Sequence, residues 1–253
     1  MFIRFVTFKS LPDKVEELRE FFSTEVYAGL QQTPGCLFAA LVESTTDPDE
    51  CSSLTLWEAA DHIKAYEDSG RFRDFVEKSR PFLAESDEWQ LQLAEDLTLE
   101  YQPVIEEPQA SAYSVFAVMD EAALVQNRAA NIHLRLVRLR ASEGALESLK
   151  QSYVETVIPA LRDVKGCRNA FLIGNLEAQS QLISVTVWDS ARDAEAYDRS
   201  PLFQSLLTNT SNLLSALVWQ TTLQSTLASK VYTSDNVKVE SYAGVTGQSF
   251  QPG

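Results

Sequence analysis

Ready-made catalytic signatures are missing from this chain. It has no Gly-rich phosphate loop, no HExxH pattern and no Ser-His-Asp arrangement. Its two histidines, His62 and His133, stand apart, so they offer little as a metal pair or an acid–base pair. The three cysteines, Cys36, Cys51 and Cys167, cannot all pair within the chain and lack metal-ligand spacing. No apolar run approaches the roughly 20 residues that span a bilayer. Met1 to Phe5 shows neither the apolar stretch nor the cleavage site of a signal peptide. The expectation is therefore a reduced, cytoplasmic setting without a membrane partner.

Basic residues are scarce too. The net charge is −15, and it is uneven: residues 1–100 hold 21 acids against 9 bases, whereas residues 131–253 hold 11 of each. Nucleic acid is not an expected partner, because binding phosphates needs clustered Lys and Arg. A solvated acidic surface is the plain explanation of the excess, and a basic partner docking on the first half is the alternative.

What the chain does have is itself, twice. With a shift of 131 positions, Arg4 falls on Arg135, Glu16 on Glu147, Gly35-Cys36 on Gly166-Cys167, and Trp57 on Trp188. Ala65-Tyr66, Ser69 and Phe72 fall on Ala196-Tyr197, Ser200 and Phe203. One register holds from residue 2 to about residue 86. Two copies are too few for a solenoid. They suit a pseudo-dimer built within one chain.

Each copy reads as strand, helix, strand, strand, helix, strand. The first strand covers Phe2 to Phe8, matched by His133 to Leu139. A helix follows with a stripe at Val15, Leu18, Phe22, Val26 and Leu30, matched by Leu146, Leu149, Tyr153, Val157 and Leu161. Ser10, Pro12 and Asp13 form its expected start, and Gly35 and Gly166 its stop. Strands are expected at about 36–44 and 51–58, and at about 167–174 and 181–188. A second helical region follows each of Trp57 and Trp188, and a closing strand carries Trp89 or Trp219.

The fold class is thus α+β: two tandem ferredoxin-like βαββαβ units forming an intramolecular pseudo-dimer. Helices cover one face of each sheet, so the bare faces should meet and close a shared barrel. The expected domains are 1–100 and 131–226, with a linker at 101–130 and a loose tail at 227–253. Within the linker, Ala112 to Val118 reads as a short extra strand and Asp120 to Asn127 as a short helix. Whether two pseudo-dimers pair again as a homodimer stays open.

The segments Thr55-Leu56-Trp57 with Ala65-Tyr66-Glu67-Asp68-Ser69, and Thr186-Val187-Trp188 with Ala196-Tyr197-Asp198-Arg199-Ser200, resemble the antibiotic-biosynthesis-monooxygenase family. The turns Pro34-Gly35-Cys36 and Lys165-Gly166-Cys167 also match that family's helix-to-strand step. The resemblance covers both repeats. It implies a dimeric α/β-barrel and oxygenation of quinol- or anthrone-type substrates with no cofactor and no metal. In that chemistry a substrate anion reduces dioxygen directly, inside a dry pocket that stabilises the anion. The family's enzymes often carry His or Trp nine residues after the strand-ending Trp, where Tyr66 and Tyr197 stand here. Haem degraders add a His ten residues further on, where this chain has Val76 and Leu207, and an Asn in the first strand, where it has none. Haem oxygenation is not expected.

The resemblance makes Tyr66 and Tyr197 the catalytic candidates and Arg4, Arg135, Trp57 and Trp188 the substrate-binding ones, with a small hydrophobic or aromatic ligand as partner. Each has a plainer alternative. The tyrosines could pack in the core with their hydroxyls satisfied locally. The arginines could pair with a helix acid such as Glu16 or Glu147. The tryptophans could be core anchors. A non-catalytic binding or structural protein that keeps the barrel is the competing function.

Overall fold

The computed structural model describes residues 1–253 except 46, 48, 94–98, 106–107, 121–132, 179, 216–237 and 251–253; along 85–93, 99–105 and 238–239 it describes the backbone alone. The first half runs β1 (Phe2–Lys9), a long helix, β2 (Cys36–Ser44), β3 (Glu50–Trp57) and two further helices, Ala60–Asp68 and Arg71–Ser79. Then come β4 (Glu85–Leu93), β5 (Leu99–Ile105) and β6 (Gln109–Val118). The second half repeats the plan with β7 (His133–Arg140), a long helix, β8 (Cys167–Asn175), β9 (Gln181–Trp188), helices Ala191–Asp198 and Pro201–Thr210, and β10 (Lys238–Ser249).

Eight strands close one barrel in the order β1-β3-β2-β10-β7-β9-β8-β6. Each half supplies four neighbours, β6-β1-β3-β2 and β10-β7-β9-β8, which is the ferredoxin-like order. The two sheets face each other as expected. Ile3, Phe5, Leu54, Leu134, Phe171 and Val185 are among the side chains that fill the interior. An eight-stranded barrel is just wide enough for side chains to fill it, so the barrel is a core. Val6 and Phe8, on the other face of β1, pack under the first half's helices. Strands buried on both faces read as nearly continuous apolar runs for this reason.

Three strands differ from the sequence reading. The Trp89 segment does not close the sheet, because β4 pairs with β5 outside the barrel. The segment expected as a minor linker strand is instead the fourth barrel strand: β6 pairs with β1 on one side and β8 on the other. The tail expected to be loose supplies its counterpart, β10, between β7 and β2. Phe250 beyond it is buried in the first half's helix–sheet core. Closure demands both strands, since otherwise four edges would carry unpaired backbone groups. The Trp219 segment and the expected helix at 120–127, beyond Asp120, lie outside the described residues.

The long helices start later than the Ser10 cap suggests. Ser10 is bridged to Leu83 and its amide donates to the Asp49 carbonyl, so it belongs to the sheet. The helix begins at Val15 with Lys14 in the capping position and no side-chain cap. Both long helices carry a π-helical segment at equivalent places, Phe22–Val26 and Tyr153–Val157. The sequence gives the reason. Leu18, Phe22, Val26 and Leu30 step by four, which overshoots a turn of 3.6 residues; the looser winding brings all four back onto the sheet, where all are buried. The helices stop at Gln31 and Arg162, and Gly35 and Gly166, expected as their stops, lie four residues further on at φ +75° and +80°, in the turns into β2 and β8.

Candidate functional site

Because the barrel is filled, space for a ligand must come from the layer between sheet and helices. Arg4 alternates with Ile3 and Phe5, which point into the barrel, so its side chain enters that outer layer. It lies opposite Thr55 in the sheet and is 2% exposed. Its Nε donates to Glu67 Oε1 at 2.9 Å, and its guanidinium carbon stands 4.0 Å from the Phe72 ring centre and 5.9 Å from that of Tyr66. Its Nη2 is buried without a hydrogen-bond partner. A buried charge left partly unpaired is costly, which marks this nitrogen as a place where an acceptor would be welcome.

The second half repeats the arrangement. Arg135, 1% exposed and opposite Thr186, approaches Asp198 Oδ1 at 2.5 Å through Nη2. Those two atoms are close but poorly aligned for a hydrogen bond, and Nε has no partner either. Phe203 stacks on the guanidinium at 4.5 Å and Tyr197 lies at 5.5 Å. The arginine partners are therefore the acids that follow Tyr66 and Tyr197 in sequence. Glu16 and Glu147, the suggested partners, sit at the surface with Arg19 and Lys150. A helix acid is indeed used, but it comes from the second helical region, which packs over the arginine.

Each arginine lines a small cavity of about 50 Å³. The first is walled by Arg4, Phe22, Val26, Tyr66, Phe72 and Phe75, among others. The second is walled by Arg135, Tyr153, Val157, Tyr197, Phe203 and Leu206, among others. Such a space holds a few water molecules, far below the roughly 300 Å³ of an ordinary ligand pocket. The larger hollow, about 470 Å³, is an open surface groove over Gly29, Arg71 and Phe75. Its volume does not make it the chemical centre, because both of its cations are already engaged: Lys78 pairs with Glu25 and Arg71 donates to the Gly29 carbonyl.

Tyr66 and Tyr197 are both buried and both line their cavities. Burial pushes the Tyr66 phenol well above its ordinary pKa, with Arg4 opposing. Burial likewise pushes Tyr197 up to about 12, against the pull of Arg135. Both are therefore hydrogen-bond donors at neutral pH and not bases. Trp57 and Trp188 are fully buried, and each donates Nε1 to a threonine hydroxyl at 2.8 Å, Thr55 and Thr186. They pack against Tyr66 and Tyr197 at 5.3 and 5.1 Å between ring centres but do not line the cavities. In this geometry they support the tyrosines from behind.

His62 lies over Gly35, and His133 is buried at the start of β7; neither lines a cavity. Among the described residues no cluster of His, Cys, Asp and Glu could hold a metal ion. The sequence reading missed Glu67, Asp198, Phe72 and Phe203 as site residues, although the repeat contains the signal: an acid and a phenylalanine recur at equivalent positions. It also missed a divergence. Where the first cavity has Phe22 beside Ser53, the second has Tyr153, whose hydroxyl lies 2.8 Å from Ser184 Oγ.

Fold and site together define an α/β-barrel of the dimeric type assembled from one chain. The chain belongs to the antibiotic biosynthesis monooxygenase family, whose sequence profile matches residues 1–78 and 132–208, more than half of its length. No curated protein matches it by sequence. Among solved structures, a Fusobacterium nucleatum protein proposed to be a monooxygenase is similar over 98% of this chain and 94% of its own, at 8% identity and a TM-score of 0.65. A counterpart from Lactobacillus acidophilus covers 98% and 95%, at 7% identity and 0.63. An anthrone oxidase-like protein covers 98% and 92%, at 11% identity and 0.58. At such identities the likeness is one of fold. No helix among the described residues is long and apolar enough to cross a membrane.

Proposed function

We propose that this protein is a cofactor-independent monooxygenase-like protein that takes a small hydroxylated aromatic, of quinol or anthrone type, between sheet and helices. The observation that carries this reading is a buried arginine in the lining of a cavity, with a nitrogen that has no hydrogen-bond partner, present in both halves. A phenolate or enolate oxygen satisfies that nitrogen, and the positive charge lowers the ligand's own pKa. Tyr66 or Tyr197, kept protonated by burial, donates a second hydrogen bond. The released proton passes to Glu67 or Asp198, the partly exposed acids paired with the arginines. The anion then gives an electron to dioxygen in a site that excludes water. The substrate class comes from the family, while the pocket supplies the anion stabilisation.

One observation favours the alternative of a non-catalytic binding or structural protein: at about 50 Å³, neither cavity admits an aromatic ring until side chains move. Dioxygen uptake by metal-free protein, measured against a panel of quinols, anthrones and simpler phenols, separates the two readings. Uptake above the uncatalysed rate that falls in Arg4→Met or Arg135→Met supports the oxygenase. Binding without uptake leaves a ligand carrier, and neither binding nor uptake leaves a structural barrel.

A further inference from the structure

Phe75 lines both the first half's small cavity, together with Arg4 and Tyr66, and the open groove of about 470 Å³, with Gly29, Gln32 and Arg71. Among the described residues it is the side chain the two linings share, and Arg4 in the cavity lining has a nitrogen without a hydrogen-bond partner. The ring sits so close to the helix Tyr27–Gln31 that a Cβ at Gly29 would lie 2.4 Å from Phe75 Cζ. Glycine at 29 is what lets a phenyl ring occupy this place.

The second half does not have this construction. Ala160 stands at the position of Gly29, and its methyl fills the space a ring tip would need. Leu206 stands at the position of Phe75 and is buried. The repeat otherwise keeps the arginine, the tyrosine and the stacked phenylalanine, so the difference lies at the approach to the site.

We infer that Phe75 is the specificity-determining residue of the first half: groove and cavity are two parts of one binding site, joined when the ring swings toward solvent. The ligand that fits is a hydroxylated aromatic longer than one ring. Its hydroxyl reaches Arg4, and its remaining rings or substituent lie in the groove over Gly29. The second half, with Ala160 and Leu206 at these positions, takes the shorter ligand. This inference rests on the reading that the arginines bind a phenolic oxygen, and it adds which copy takes the larger ligand and by what route.

Phenol and 2-naphthol serve as probes, read through methyl NMR signals of Val26 and Val76 for the first site and of Val157 and Leu207 for the second. In wild-type protein, 2-naphthol shifts the first set and leaves the second unmoved. Phe75→Ala tightens 2-naphthol at the first site by about tenfold, changes phenol less, and loses the gain when Arg4→Met is added. Phe75→Leu, which shortens the side chain while keeping Gly29 and the groove, shows the same direction if the alanine variant fails to fold. Equal 2-naphthol affinity in wild type and both variants, or equal response of the two sites, overturns the role of Phe75 while the arginine reading stands. Absence of any shift with either probe overturns both.

Discussion

Arg4 Nε lies 2.9 Å from Glu67 Oε1, joining a guanidinium sealed inside the helix–sheet layer to a carboxylate that is 44% exposed. Arg135 and Asp198 repeat the pairing in the second half. The arrangement holds a buried positive charge in place and leaves Nη2 of Arg4, and both Nε and Nη2 of Arg135, without a hydrogen-bond partner.

Removing only the acid should therefore hurt more than removing the pair. Asp198→Asn strands Arg135 without a counter-charge. A fully buried pair broken this way costs roughly 3–5 kcal/mol, and partial exposure of Asp198 places the loss below that range. Adding Arg135→Met should recover most of the stability. Urea unfolding of the single and double variants measures both, and an additive double variant would contradict the pairing.

The stacked phenylalanines occupy the place a flat ligand would take above the guanidinium. Phe203→Ala should destabilise by about 3–5 kcal/mol, the usual loss for a buried ring. It should also create an apolar space of the kind that binds benzene-sized rings at about 150 Å³. Phenol should then raise the melting temperature of this variant more than that of wild type. Thermal unfolding with and without phenol gives the answer, and equal shifts would argue against the site.

Strand β10 links the two halves by pairing with β7 of its own half and β2 of the other. A chain ending at residue 237 loses that strand and the Phe250 side chain, and exposes both edges. Light scattering should show association or aggregation in place of the wild-type species. A truncated chain with an unchanged association state and melting temperature would mean that closure does not need β10.

His133 is held neutral because burial lowers its pKa, aided by Arg135 and opposed by Glu195 and Asp198. Its contribution is complete above about pH 6.5, where the unfolded chain is also neutral. It is lost as pH falls through the lower folded-state value, because the unfolded chain takes up the proton first. His133→Phe, matching Phe2 in the first half, should flatten the acid limb of a stability-against-pH curve. An identical limb in both proteins would assign the acid loss to carboxylates.

Much of the architecture is readable along the chain. The four-residue spacing of Leu18, Phe22, Val26 and Leu30 marks a helix with a single buried face, and the apolar runs around Arg4 and Leu41 mark strands. Trp89 misleads because an aromatic in an alternating stretch has the local pattern of a core strand. Its pairing with 99–105 depends on which backbone edges are left open elsewhere. The arginine partners were hidden for a similar reason: Glu16 is near in sequence, but Glu67 is brought over Arg4 only when the second helical region packs down.

The sequence by itself determined the duplication, the ferredoxin-like unit and the family, because periodicity and a repeated register are local properties that survive without coordinates. Only the tertiary structure decided that 109–118 and 238–249 close the barrel, that the arginines line small cavities, and that Phe75 lines both one cavity and the open groove. Those facts follow from which edges, charges and rings remain unsatisfied once everything else has packed, and no stretch of chain contains that information alone.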